Sequence, residues 1–571
     1  MYKVTHKQLE IEENKNMMKK IMASILAAVM VLSVAACGAK TTEEVDSSKT
    51  QLYVGNFAGG VGSEWLESAM AQFEEKYADV SFEEGKKGVQ LILGENNKTT
   101  MAGQELKKVI SSSKTEIFFT QGVYYHDWVN QGLLHEITGI TEEKLSEYGE
   151  DKSIAEKMYP ELAESMKVDG KYYALPFWEA FYGLVYNATL FDENSWYIGE
   201  DGSFTNASGK LGAGPDGQAG TYDDGMPATY DQFFAMMDEM VKDNVMPLQW
   251  GSSEYIIWYL GSLFADYEGY EDLMMNYTFE GEADLVKMDT INIDDMTYET
   301  EKVTITQKNG YELARQEGYL HVLKFAEKFF RGNGYYDPNV SGSAAYKISD
   351  AQLAFIRNAR TTDKKPVAMI VEGCWWENES SSAFKETYGT EATKFDNEME
   401  MKWMPLPKAS EAQVGSENIQ VSPLSSYCFI NANIAEEKVE AAELFLQFCH
   451  TDAMMTEFTE ITGMFKPYNY EVDAEKMTAS TKSIMEVREN SHIVYPMDDN
   501  PVYLYASQQF RLAELFTTKY DAGEDPSLHI GTIMRRKEGA NYLYDAEDCF
   551  KGLLKRRQDQ LWPTLESAIE E

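Results

Sequence analysis

The sequence predicts an α/β protein whose folded part begins near residue 51, and three observations carry that prediction. Short apolar runs alternate with amphipathic helical stretches between residues 51 and 128, the order that builds a mostly parallel sheet with helices on both faces. The first run, 51–54, feeds a glycine-rich loop (55–62) and then a helix from Ser63. In that helix Trp65, Leu66, Ala69, Met70, Phe73 and Tyr77 recur at helical spacing. Further along, 167–178 reads as a hairpin turning at Asp169-Gly170 and running into an apolar strand over 182–186.

Between these lie a strand over 89–93, a helix over 104–111 and a strand over 116–120. Ligands of such sheets bind beyond the carboxyl ends of the strands. The loop from Asn56 to Trp65 and the group Tyr124, Tyr125, His126 and Asp127 therefore fall where a ligand would lie. The glycine loop has neither G-x-G-x-x-G nor P-loop spacing, so it reads as a tight connection beside a cleft rather than a phosphate cradle.

At 571 residues with 43% hydrophobic and 13% aromatic content, the chain is long enough for two or three compact units. Its 94 acidic and 51 basic side chains give a formal charge of -43, spread along the chain. Such a surface repels nucleic acid and anionic membranes. Five cysteines (37, 374, 428, 449 and 549) form no C-x-x-C pair and no zinc-type cluster.

The N-terminus carries a targeting pattern. Lys19-Lys20 precede an apolar run over 21–36, too short to span as a mature transmembrane helix but suited to a secretory signal. The run closes as Val34-Ala35-Ala36-Cys37-Gly38, which resembles a bacterial lipobox. Residues 1–36 are then an extension plus lipoprotein signal peptide, with Met17 or Met18 as the effective start. Cys37 is the candidate lipidation site, carrying palmitate-type acyl chains, and 37–50 is a flexible polar tether. This places the protein outside the cytoplasm, lipid-anchored to the cell membrane. The remainder is more acidic still, because 1–36 carry five Lys against three Glu.

The segments "FEEKYADV" (73–80), "DGKYYALPFW" (169–178), "YGLVYNATLF" (182–191), "AMIVEGCWW" (368–376) and "FLQFCHTDAMMTEFTEITGMFKP" (445–467) resemble, in this order, the extracellular solute-binding lipoproteins of carbohydrate ABC importers. The resemblance covers most of 51–470. It implies a type II periplasmic-binding-protein fold, two α/β lobes with a hinge and an interlobe cleft. Lobe one would take 51–182 and 400–466, lobe two 183–399 and 467–571. Stretches 197–228 and 276–312 exceed the family's usual length and read as insertions. The implied partners are a carbohydrate-like ligand and ABC permease subunits, with membrane contact through the lipid anchor only, no nucleic acid, and a monomeric state.

Sugar binding needs flat apolar faces for C–H surfaces and planar acids or amides that take two hydroxyls. The family places a stacking aromatic at the G-x-W position, so Trp375 and Trp376 are the first candidates, one facing the cleft and the other in the core. Glu254 and Tyr255 match the family's acid and aromatic at a helix start. Trp250 is a further candidate, while Trp258 and Tyr259 read as packing. Phe177, Trp178, Glu179 and Tyr182 lie at the crossover between lobes, where one or two should touch ligand. Lobe one would contribute Asn56, Trp65, Tyr124 and Asp127. His126 reads as a hydrogen-bonding surface histidine and Tyr427 as a weaker cleft candidate.

Asp216, Asp223 and Asp224, set among glycines, are weak calcium candidates, but the late glutamate of an EF-hand is absent and a solvated turn fits better. No cofactor is expected otherwise. G-x-S-x-G and H-E-x-x-H are absent (His135-Glu136 lacks the second histidine), so a binder is expected rather than an enzyme. The alternatives are a secreted carbohydrate-active enzyme and a surface adhesion module.

Overall fold

Uninterrupted apolar runs place two strands at the centres of two sheets. β3 (Ile117–Thr120) and β9 (Val367–Gly373) are buried at every position, the pattern of strands covered on both faces. The computed structural model describes residues 45–94, 102–337, 348–361, 363–389, 399–422, 426–496 and 530–563. Cys37 and the signal segment lie outside the described residues.

The first sheet has the order β2-β1-β3-β12-β4. β1 (Thr50–Asn56) runs parallel to β2 (Val89–Leu93) and to β3. β12 (Tyr427–Ile430) is antiparallel to β3, and β4 (Leu175–Pro176) to β12. The helix Glu64–Lys76 covers this sheet with Trp65, Leu66, Ala69, Met70 and Phe73 buried, the face its spacing predicts. Before β4 the chain turns at Asp169 and Gly170, both at positive φ (52° and 76°), between bridged Val168 and Lys171. Asp-Gly suits that left-handed turn.

The second sheet has the order β10-β5-β9-β6. β5 (Tyr182–Asn187) is antiparallel to both β9 and β10 (Met401–Met404), while β6 (Met246–Trp250) is parallel to β9. Asn187 ends β5 and caps the next helix, its side chain accepting the Leu190 N–H. The stretch expected as an insertion at 276–312 contains the antiparallel pair β7 (Gly281–Val286) and β8 (Thr300–Ile305).

The described chain passes between the sheets at 177–181, after β10 at 405–422, and at 463–478. The sequence expectation set the return to lobe one at residue 400. β10 instead pairs with β5 in the second sheet, because its Met401, Trp403 and Met404 are buried there. The first sheet resumes only at β12. Within the crossing region β11 (Ile419–Val421) pairs in parallel with β13 (His492–Val494).

A buried ion pair fixes the second crossing. Lys408 Nζ lies 3.0 Å from both oxygens of Asp266, on the helix Ser252–Thr278. Asp266 also accepts the Ile419 N–H at 3.1 Å, and Lys408 donates to the Glu417 carbonyl at 3.1 Å. Removing one partner leaves the other charge stranded away from water. Lys408→Met should therefore lower unfolding stability in urea by about 3–5 kcal/mol, and adding Asp266→Leu should recover most of the loss.

Candidate ligand cleft

The start of β5 and the ends of β9 and β6 meet at one end of the second sheet, since Tyr182 pairs with Gly373 and Trp250 with Val371. Each strand delivers aromatics there. Tyr182 opens β5. Trp375 follows β9 and folds back so that a Cβ at Gly373 would sit 2.2 Å from its ring. Tyr255 and Trp258 lie on the helix that follows β6.

These rings form a connected array. Tyr182 stacks on Trp258 with centroids 4.8 Å apart and planes 12° apart. It meets Trp375 edge-on at 5.1 Å and Tyr255 at 5.8 Å. Trp178, from the crossover, meets Trp375 edge-on at 5.6 Å. Tyr182, Tyr255, Trp258 and Trp375 are all partly exposed, so each keeps some apolar ring surface open.

Lobe one faces this array with its glycine loop. Gly60 has φ +74°, and a Cβ there would lie 2.6 Å from Trp375 Cδ1, so only glycine permits the approach. The Gly60 carbonyl accepts from Asn378 Nδ2 at 2.8 Å, a direct bond between lobes. Asn56 holds the loop closed, donating to the Gly62 carbonyl (3.1 Å) and Ser63 Oγ (3.2 Å). Asp127 is bound by Lys107 and by Gln131 Nε2 at 2.7 Å, and Tyr124 is partly buried against the lobe-one core.

One buried acid lies behind the array. Glu372, one residue before Gly373, is enclosed, accepts from Gln352 Nε2 at 3.0 Å and has its second oxygen unpartnered. Burial pushes its carboxyl up to about 8, so it is mostly protonated at neutral pH.

Several expected site residues lie elsewhere. Trp376 packs in the core against Phe355 and Phe384, leaving Trp375 as the cleft tryptophan of the pair. Trp250 is fully buried among Phe329, Phe330 and Tyr336, because it ends β6 on the core face. Trp65 is enclosed by Phe119, Phe177 and Phe458 as part of its helix's buried stripe. Tyr427 is buried on β12 and stacks on Tyr125. Phe177 is a core residue, and His126, expected at the surface, is buried against Tyr125; Tyr259, read as packing, is buried too. The side chain of Glu254 lies outside the described residues.

Glu179 is also no cleft residue. It accepts from Arg488 Nε at 2.5 Å and from the Tyr495 hydroxyl, inside the crossover. Conversely, Trp258, expected to be packing, joins the array; it lies one helical turn from Tyr255, the spacing that could have signalled a shared face. Gly60 lies in the glycine loop that the sequence places beside a cleft, whereas Asn378 carried no sequence signal.

In the 197–228 stretch the aspartates serve their own loop. Asp223 accepts the Asp216 N–H (2.8 Å) and the Thr221 hydroxyl (2.8 Å), Asp224 the Gly220 N–H, and Asp216 the Gln218 N–H. Among the described residues, no group of three or more His, Cys, Asp or Glu is arranged to hold a metal ion.

The model of the bacterial extracellular solute-binding protein family matches residues 69–486. The chain belongs to this family. A search of curated proteins returns no match. Among solved structures, raffinose-bound RafE is similar at TM-score 0.50 and 14% identity, covering 89% of this chain and 98% of that one. A chitin oligosaccharide binding protein is similar at 0.50 and 16%, covering 92% and 100%. Maltose-bound MalE3 of T. maritima is similar at 0.50 and 12%, covering 89% and 99%. This solute-binding protein thus has the type II periplasmic-binding fold, and among its described residues no helix is long and apolar enough to cross a membrane.

Behind the crossover lies an unusual cation. Lys466 Nζ is buried with no hydrogen-bond partner and rests on the rings of Phe458 (4.5 Å), Trp65 (5.5 Å) and Phe177 (5.8 Å). Burial lowers its amine to about 8, with the Cys428 and Cys449 thiols opposing. The folded protein releases this proton near pH 8, whereas an unfolded lysine holds it to about 10.4. The unfolded chain therefore binds more protons in that window, so this lysine makes stability rise with pH there. The buried thiols of Cys374, Cys428 and Cys449 are pushed up and act in the opposite sense, so the lysine is read by difference: the stability of the protein minus that of Lys466→Met should rise between about pH 8 and 10, with Lys466→Met the more stable at neutral pH.

Proposed function

We propose that this protein captures a sugar or oligosaccharide between its lobes and delivers it to an ABC permease, held at the membrane by acylated Cys37. The array of Tyr182, Tyr255, Trp258, Trp375 and Trp178 carries this reading. Four of these rings are partly exposed, and they meet both stacked (Tyr182 on Trp258) and edge-on, so apolar faces are offered in several directions, which suits the C–H surfaces of a saccharide. The sugar-bound relatives of like fold, RafE with raffinose and MalE3 with maltose, support the same ligand class.

Capture then works by lobe closure. A ligand resting on the second-lobe rings gains contacts to the glycine loop and to Asn56, Tyr124 and Asp127 only when the lobes approach, and that difference favours the closed state. No step of bond cleavage enters: among the described carboxyls close by, Glu179 is paired with Arg488, Glu372 is buried behind the array and Glu379 accepts a hydrogen bond from Trp375. A glycosidase would need a pair of acids flanking the bound sugar.

In a thermal-shift panel of neutral saccharides, at least one sugar should raise the melting temperature, equivalent to about 2.7 kcal/mol at a hundredfold excess over Kd. Trp375→Ala should fold normally and lose that shift; no shift with any saccharide would overturn the carbohydrate reading. For the anchor, Cys37→Ser should move the protein from the membrane fraction to the soluble fraction, and an unchanged distribution would exclude acylation at Cys37.

A further inference from the structure

We propose that the second lobe carries another saccharide-binding site, outside the interlobe cleft, between the 197–228 insertion and the helix Ala479–Glu489. A cavity of about 520 Å³ opens there, within the size range of small-molecule sites. It is remote from the ring array. β5 starts at the cleft with Tyr182, whereas Tyr186, which lines the cavity, is four residues along the strand, about 13 Å away at the usual strand rise.

Tyr186 supplies the observation that points to a ligand. It is only 5% exposed, it lines this cavity, and its hydroxyl makes no hydrogen bond to any described residue. That hydroxyl is therefore open to a group entering the cavity. Around it stand the partly exposed rings of Tyr197 and Tyr222. Tyr197 is fixed by donating to Asp192 at 2.9 Å, and Tyr222 by accepting from Asn418 Nδ2 at 3.3 Å.

The chemistry of the walls selects the ligand. Asp192, Asp224, Glu400 and Glu486 present acceptors, and Lys402 and Lys482 present donors. A simple cation would meet the lysines, and an anion would meet the carboxylates. A neutral polyhydroxylated ligand uses both, its hydroxyls pairing with acids and amines while its C–H faces cover tyrosine rings. The insertion supplies Tyr197 and Tyr222, so the site exists only because the chain is longer here.

The test is a calorimetric titration of the full chain with raffinose, maltotriose and xylotriose, up to tens of millimolar. At least one should bind at two sites. Tyr186→Phe, which keeps the ring and removes one oxygen, should weaken the second site by about fivefold, the worth of one hydrogen bond. Tyr197→Ala should weaken it further, with both variants leaving the first site unchanged, and Trp375→Ala should do the reverse. Single-site isotherms abolished by Trp375→Ala for all three sugars would overturn the proposal, as would a second site indifferent to both tyrosine variants. If the cleft reading fails instead, one site remains, sensitive to Tyr197 and not to Trp375.

Discussion

A carboxylate with 1% of its surface exposed, Glu179, sits where the chain first leaves one sheet for the other. Burial pushes its carboxyl up and the Arg488 guanidinium down, so neither charge is supportable there alone. Together they satisfy each other, with the Tyr495 hydroxyl also donating to Glu179 and Arg488 also donating to Tyr159 and the Lys466 carbonyl. The backbone is tied at the same place. The Glu179 N–H donates to the Phe465 carbonyl (2.8 Å), the Ala180 N–H to Ser422 Oγ (3.1 Å) and the Cys374 N–H to the Phe181 carbonyl (3.1 Å). All three passages between the sheets are thus gathered at one residue.

The cleft inherits its geometry from that knot. With 177–181 fixed, β5 must begin at Tyr182, beside the end of β9, and Trp178 must project toward the ring that follows β9. The rings then hold one another: Trp375 is bounded by Trp178, Tyr182, Gly373 and Gly60. A residue at the knot therefore governs the site without reaching it. This is why an acid beside two cleft aromatics is a structural element, although by residue type it resembles a sugar ligand.

The sequence shows the sheets clearly and the site only in part, for reasons visible at single residues. β1, β2, β3, β5 and β9 are strongly apolar runs bounded by turns, and the Asp-Gly turn and Asn187 cap are local chemistry, so short-range reasoning finds them. Trp375 and Trp376 are adjacent, and adjacency already requires them to face apart; which one faces the cleft depends on the glycine at 373 that lets Trp375 fold back. Trp250, a further candidate by sequence, is enclosed, and Trp258, which reads as packing, is partly exposed. Strand and helix phase decide their directions, and phase at an element end shifts by a residue with no change in composition. Asn378 and Gly60 touch across 318 residues of sequence, a contact no local pattern encodes.

The two faces of the cleft are chemically unequal, and this bears on how closure is biased. The second lobe holds the broad rings, already packed against one another and so needing little ordering on contact. The first lobe offers a glycine loop and polar groups largely occupied by their own lobe, as Asn56 and Asp127 are. A ligand would gain most of its apolar contact on the second lobe whether or not the lobes meet. Those contacts add affinity for both states and leave the balance between them unchanged. The closing bias must come from the smaller first-lobe set, which is made only in the closed form. On the proposed function, stacking would set the affinity and the loop around Gly60 the response.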